Sequence, residues 1–281
     1  MPEELAPEIK PKPIIIDGIE IQESETEPDF VIYGRDDIET DVKEKLPKYF
    51  WWLRPEFKDL VPKEQISFIS NGTEVELFNF TEISSEQHKV ELAKAIQALN
   101  RTKFGVSGIK YLIASPVDRK HPWDPDTMER GYPHFDSGDI EITPAGWKLS
   151  AYRDGEVESV SELAGIIIHE AGHYYYKERS GEKSICDLWI EKIKPKPNEF
   201  VTNYAKYNEQ EDFCESLVVY LTDPEKMKKI SPDKYEFMQE HLVAENPDDK
   251  VEIIQKENPA TPRIERPIKY KIDEIDVKLG E

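Results

Sequence analysis

Two histidines four residues apart enclose a glutamate in the segment His169-Glu170-Ala171-Gly172-His173. A helix returns to the same face after about four residues, so the two imidazoles project side by side and can grip one tetrahedral metal ion. Glu170 points to the adjacent edge, within reach of a water held by that ion. Zinc suits this set: it lowers the pKa of such a water toward neutrality, and the glutamate takes the proton as the hydroxide attacks a carbonyl. A chain of this length and composition contains the pattern by chance about one or two times in a hundred, so the surrounding residues must carry the rest.

They do so in three ways. Ile166, Ile167 and Ile168 bury the preceding turn and set both histidines against the interior. Ala171 and Gly172 leave the middle of the pattern almost bare, and a helical glycine costs about 1 kcal/mol, which a close neighbour such as a substrate-edge strand or the metal site would explain. A catalytic zinc also needs a third protein ligand. About forty residues on, Glu211 and Glu215 lie one turn apart on an expected helix, with Phe213, Leu217, Tyr220 and Leu221 as the opposing apolar stripe. One carboxylate can bind the metal while the other accepts the free N–H of a ligating histidine. The competing reading is local, since Asn208 with Glu211 also has the spacing of a helix-capping pair.

The two helices together, HEAGH followed by Tyr204, six residues, and Glu211-Asp212-Phe213-Cys214-Glu215, resemble the gluzincin metallopeptidases of the anthrax lethal factor and Pro-Pro endopeptidase type. The resemblance covers about Ser159 to Asp223. It implies one zinc per chain held by His169, His173 and Glu211, with Glu170 as general base. Tyr204 would donate to the oxyanion of the tetrahedral intermediate, and Glu215 would orient a ligand histidine from behind. Cys214 stands where that family has alanine; it reads as a small buried residue, or as a fourth ligand that would close the site. Tyr207 is the alternative to Tyr204. The metzincin pattern is excluded, because Tyr176 and Arg179 occupy the positions of its glycine and third histidine.

These residues need elements to place them. The spacing predicts a helix over Ser159 to Glu178, capped by Ser159 with Glu162 and closed near Gly181, and a second over Asn208 to Leu221 that stops before Pro224. Upstream, Ser84 to Asn100 has the amphipathic period, with Ser84 and Gln87 as a capping box. Gln65 to Phe80 reads as a hairpin around Asn71-Gly72, and Ile14 to Ile21 as a shorter one around Asp17-Gly18. Ile109 to Ala114 reads as a buried strand and Asp139 to Thr143 as an alternating one, in the position of an edge strand that pairs with extended peptide. The segment between them, with His121, Trp123 and His134, reads as a loop beside the cleft. Either histidine could touch substrate or do nothing, while His88 on the exposed side of its helix and His241 near a helix end carry no assigned role.

The expected architecture is α+β: a zincin-like domain over 46–245 with a small upstream sheet, the active-site helix and a glutamate-bearing helix downstream. An acidic, Pro-rich arm with a possible hairpin precedes it at 1–45, and a Pro-rich arm whose alternation suggests a strand follows at 246–281. The chain has 281 residues, 37 Lys plus Arg against 58 Asp plus Glu, and a net charge of −21. Such a field repels phosphate backbones and anionic lipid, so neither nucleic acid nor membrane is an expected partner. The expected partner is a peptide or protein substrate in extended conformation. Two cysteines, Cys186 and Cys214, make no disulfide framework and read as reduced thiols. No signal peptide or apolar span is evident, and the default address is the cytoplasm. The expected function is a zinc-dependent endopeptidase; the competing class is an interaction or assembly protein that keeps the zinc-binding domain without turnover.

Overall fold

The computed structural model describes residues 14–16, 19–21, 63–256 apart from 71, 82–84, 122–125, 136–137, 195, 246 and 248–249, and residues 269–272. Trp123, Ser84 and the aromatic run from Leu46 to Phe57 lie outside these. The chain forms two compact units, one of Met1–Pro62 with Asn258–Arg263, the other of Lys63–Glu257 with Ile264–Glu281. In the first, β1 (Ile14–Ile16) and β2 (Ile19–Ile21) pair antiparallel, Ile16 opposite Ile19.

The second unit is mixed α and β. It opens with the hairpin of β3 (Glu64–Ser70) and β4 (Thr73–Asn79), where Ser70 faces Thr73 across a tight turn and Gly72 takes φ +72°, a left-handed conformation that glycine adopts without steric cost. Helix α1 (Glu86–Asn100) follows, then β5 (Tyr111–Ala114), the short pair β6 (Arg119–Lys120) and β7 (Met128–Glu129), and the antiparallel pair β8 (Gly131–His134) and β9 (Asp139–Ile142). Strands β4, β5 and β9 run parallel. At the other side β13 (Val251–Lys256) pairs antiparallel with β3, and β14 (Lys269–Ile272) with β13, which makes a seven-stranded sheet in the order β14-β13-β3-β4-β5-β9-β8. The strand β13 comes from the stretch that composition marks as arm, yet Val251 and Ile253 are buried in the common core.

The edge of this sheet differs from expectation. Strand β9 is not an edge: it lies between β5 and β8 and all four of its residues are buried. The edge is β8, inside the segment read as a loop. Its Pro133 lacks an N–H, which an edge strand tolerates because one side of its ladder has no partner.

Strand β10 (Val157–Ser161) leads directly into helix α2 (Glu162–Tyr175). The N-cap is therefore Ser161, whose hydroxyl accepts from Ala164 N–H at 3.2 Å, and not Ser159. Strand geometry persists to the cap, so Glu162 opens the helix and its carboxylate turns to Arg130 instead of completing a capping box. Likewise α1 is capped by Ser85, whose side chain accepts from His88 N–H. After the pair β11 (Arg179–Ser180) and β12 (Lys183–Ser184) come α3 (Ile185–Lys192), a 3₁₀ turn at Tyr204–Lys206, α4 (Glu209–Thr222), α5 (Pro224–Ile230) and α6 (Pro232–His241).

Helices α2 and α4 are buried almost all round and pack against each other, and α1 packs against α2. Their contact is made by Gly172 and Cys214: a Cβ on Gly172 would lie 3.0 Å from Cys214 Sγ and 3.1 Å from its Cα. The neighbour that Gly172 accommodates is thus helix α4, not a strand or the metal site, and Cys214 on that helix meets α2 at the same close approach. Gly165, two turns earlier, lies against the ring of Tyr152 in the same way. His88 is buried, not exposed, and stacks on Trp147 with ring centroids 5.2 Å apart. Both cysteines are unbridged, and no helix among the described residues is long and apolar enough to cross a membrane.

Candidate metal centre

Helix α2 presents His169 and His173 on one face with ring centroids 5.0 Å apart, as the four-residue spacing requires. Helix α4 begins opposite them. Asn208 caps it, accepting from Glu211 N–H at 2.9 Å, so the local capping reading holds for the backbone of Glu211. Its side chain does something else: Oε2 reaches within 3.0 Å of His169 Nε2 and 3.8 Å of His173 Nε2. Oε2 is buried and has no hydrogen-bond partner among the described residues besides these imidazoles. Atoms that share a tetrahedral zinc at 2.0–2.1 Å lie about 3.3 Å from one another, so these two separations bracket the spacing of a common ligand sphere.

Cys214 Sγ is the competing third ligand, since it and one nitrogen of each histidine lie within 4.8 Å of one another. It is fully buried behind Gly172 and does not line the cleft, whereas Glu211 does. Burial, reinforced by Glu211 and Glu170, pushes its thiol well above the usual range, and a metal ligand must be the thiolate. Of the two candidates for a third donor, Glu211 shares the cleft with His169 and His173 and Cys214 does not.

Behind His169 stands Glu215, fully buried, its Oε1 2.7 Å from His169 Nδ1. The same oxygen accepts from Tyr152 O–H at 2.8 Å and from Arg153 Nε at 3.1 Å, and Oε2 accepts from Thr202 O–H at 2.8 Å. Burial opposes its ionisation, but Arg153 and His169 prevail and hold the carboxyl well below the usual carboxylate range. Gln210 Nε2 lies 2.8 Å from His173 Nδ1; with the amide turned by half a rotation its oxygen accepts Nδ1–H and leaves Nε2 bare. Each histidine thus has an outer partner that can fix its tautomer.

Burial and the neighbouring carboxylates set the protonation of these groups. Burial disfavours a proton on His169, yet Glu211 and Glu215 overcome it and raise its pKa to about 10. Burial and the neighbouring His169 lower His173 to about 4. Glu170 is raised to about 7, by burial first, with Glu211 adding to the rise while His169 opposes it. Its carboxylate lies between His173, 3.8 Å away, and the edge strand β8. There a Cβ on Gly131 would sit 2.7 Å from Glu170 Oε1, so glycine at this point of β8 makes room for the carboxylate.

All of this opens into a cleft of about 780 Å³, bounded by β8, by the turn at Arg153–Glu156 and by Tyr204 and Tyr207. Tyr204 lies beside His169 with ring centroids 5.8 Å apart, and its hydroxyl is 3.5 Å from His121 Nε2. Burial, then Glu211, raises its phenol above the ordinary value, so it remains a donor. Tyr207 stacks on Tyr204 but is more than half exposed, which leaves Tyr204 the better placed of the two. His121 joins the cleft; His134 pairs with Glu141 at 3.3 Å and does not line it. His241 is buried beside Lys192.

Four participants have no signature in the sequence: Tyr152, Arg153, Thr202 and Gly131. The first two belong to a turn with unusual backbone, Arg153 at φ +49° and Asp154 at φ +58°, the two non-glycine residues with positive φ among those described. Left-handed backbone costs an L-residue roughly 1–2 kcal/mol, less for aspartate. Gln210 could have been suspected, since it is adjacent to Glu211 in the first turn of α4.

No family model matches the chain, and no solved structure matches it. The large ribosomal subunit protein bL19 of Azobacteroides pseudotrichonymphae genomovar. CFP2 is 32% identical over 78 residues, which are 28% of this chain; the chain spans 62% of the length of that protein.

Proposed function

We propose that the chain is a zinc-dependent endopeptidase of zincin-like fold and gluzincin type. One observation carries the reading: Glu211 Oε2, buried and with no hydrogen-bond partner among the described residues besides these imidazoles, converges with His169 Nε2 and His173 Nε2 at the floor of an open cleft. The arrangement around it supports the fold assignment, with a motif helix, a second helix bearing the glutamate and an antiparallel edge strand alongside Glu170.

Zinc bound by His169, His173 and Glu211 would polarise a peptide carbonyl and lower the pKa of a water to near neutrality. The remaining work falls to the chain. Glu170, with a pKa of about 7, takes the proton of the attacking water on its carboxylate and gives it to the nitrogen of the leaving amine. Tyr204 donates its phenolic O–H to the carbonyl oxygen as negative charge develops there. Glu215 and Gln210 hold the two imidazoles in their metal-binding tautomers.

The likeness to bL19 does not alter this reading. That protein belongs to the large ribosomal subunit by its name, while a net charge of −21 opposes approach to a phosphate backbone.

The test is elemental analysis of the purified full chain together with peptide hydrolysis by wild type, Glu211→Ala and Glu170→Gln. The expected result is one zinc per chain, lost in Glu211→Ala, and hydrolysis abolished in Glu170→Gln with zinc retained. No zinc after reconstitution refutes the metal site; zinc without hydrolysis of any peptide leaves an assembly protein in its place.

A further inference from the structure

We propose that Arg153 is the positioning residue that holds Glu215 against His169 and the ring of Tyr204 beside the metal position in a single clamp; the proposal rests on the zinc reading above. Two nitrogens of the guanidinium, Nε and Nη2, reach Glu215 Oε1 at 3.1 and 3.0 Å. The same group lies over the Tyr204 ring with Cζ 4.3 Å from the ring centroid. One planar cation therefore touches both the carboxylate that orients a metal-binding imidazole and the phenol that faces the substrate.

The backbone supports this role independently. Arg153 stands in left-handed conformation, and its N–H donates to Glu162 Oε2 at 2.7 Å while Glu162 Oε1 accepts from Arg130. A strained residue kept in place by a buried carboxylate, with its side chain directed into a site, marks a positional demand. Neutralising the buried charge of Glu215 would need only a cation, which lysine could supply. The in-plane pair of donors and the flat face for stacking are properties of arginine alone.

The two roles separate by substitution in the full chain. Arg153→Ala, Arg153→Lys, Tyr204→Phe and the double variant Arg153→Lys/Tyr204→Phe are compared with wild type. Zinc affinity is measured by competition with a chromophoric chelator, and kcat and KM with fluorogenic peptides of randomised sequence. Arg153→Ala is expected to weaken zinc binding about 10- to 100-fold, the usual effect of losing a group behind a ligand. Arg153→Lys, which keeps the charge and the fold, is expected to retain zinc within about threefold, to lose about tenfold in kcat and to leave KM within about twofold, because the stacking face is gone. In the Tyr204→Phe background the same lysine substitution should cost nothing further, since the phenol it positions is absent.

Wild-type zinc affinity in Arg153→Ala, or a full tenfold loss from Arg153→Lys on top of Tyr204→Phe, overturns the proposal while leaving the zinc reading intact. A wild type that takes up no zinc overturns both. If zinc binds but no peptide is cleaved, the affinity of Arg153→Ala alone decides whether Arg153 acts on the metal site.

Discussion

Replacing Glu215 by glutamine removes one charge and almost no volume, and the structure indicates what that charge does. Glutamine can keep its oxygen at the Oε1 position, accepting from Tyr152 and Arg153, and turn its amide toward the Thr202 hydroxyl, so the fold need not rearrange. What disappears is the anion 2.7 Å from His169 Nδ1. Hydrogen bonds to a charged acceptor are roughly twice as strong as neutral ones, and the loss makes the imidazole a weaker donor to a cation. Zinc affinity should fall about 10- to 100-fold, or about 1.4–2.8 kcal/mol. Arg153 is left without its counter-ion. Removing one member of a buried pair costs about 3–5 kcal/mol, and glutamine, which still accepts, should cost toward or below the lower end. The assay is chelator competition at pH 7.5 with a parallel urea melt in EDTA, and Glu211→Gln serves as the reference. Glu211→Gln must weaken zinc more than Glu215→Gln does; equal affinities for Glu215→Gln and wild type, or the reverse order, refute the assignment of ligand and supporting carboxylate.

Glu170→Gln should stabilise the metal-free protein at pH 8 and not at pH 5. A carboxyl whose pKa rises on folding to about 7 disfavours the folded state as pH rises from its unfolded value through 7, a penalty on the order of 3 kcal/mol that glutamine removes; a melting temperature equally changed at both pH values would contradict this. His169 runs the other way: raised to about 10, its proton stabilises the metal-free fold fully below the unfolded pKa near 6.5, and the effect is lost as pH rises through 10. Zinc must displace that proton, so calorimetry at pH 7.5 in buffers of different ionisation enthalpy should show about one proton released per zinc; none released would mean that His169 is not a ligand. Gly165→Ala should destabilise by about 1–3 kcal/mol in urea despite its better helix propensity, because the new methyl overlaps the Tyr152 ring; a more stable variant would show that α2 and the turn at Tyr152 are free to separate.

What was legible in the sequence is what a helix repeats locally. The pairing of His169 with His173 and the cap at Asn208 follow from spacings of three and four residues, which survive any tertiary arrangement, whereas the cap of α1 is Ser85 and not the Ser84 that the spacing to Gln87 marks. Glu211 became a candidate because it shares a helix turn with Glu215. The illegible parts are those set by distant partners. Strand β8 hides among prolines because its outer side needs no N–H. The turn at Arg153 and Asp154 carries no glycine at its strained positions, and only its contacts with Glu162, nine residues on, and Arg130 show why it is held. His88 sits on a helix face that amphipathic counting assigns to solvent, but Trp147 covers it. The cap of α2 shifts by two residues because β10 continues into it, and strand geometry wins over the spacing of Ser159 and Glu162.

The position of β13 has a consequence for the order in which the molecule is made. Its partner β3 leaves the ribosome with β4, roughly 170 residues before β13, a delay of roughly 10–35 s at ordinary elongation rates. Helices α2 and α4, and with them every residue proposed to bind or surround the metal, emerge within that interval. The nascent chain can assemble helices α2 and α4 while one long side of the sheet still offers open hydrogen-bonding groups to any neighbouring strand, the situation in which chains pair wrongly. Completion of this side of the sheet therefore waits for β13 and then β14, and loss of β13 should reveal itself as aggregation during synthesis before it appears as any change in zinc content.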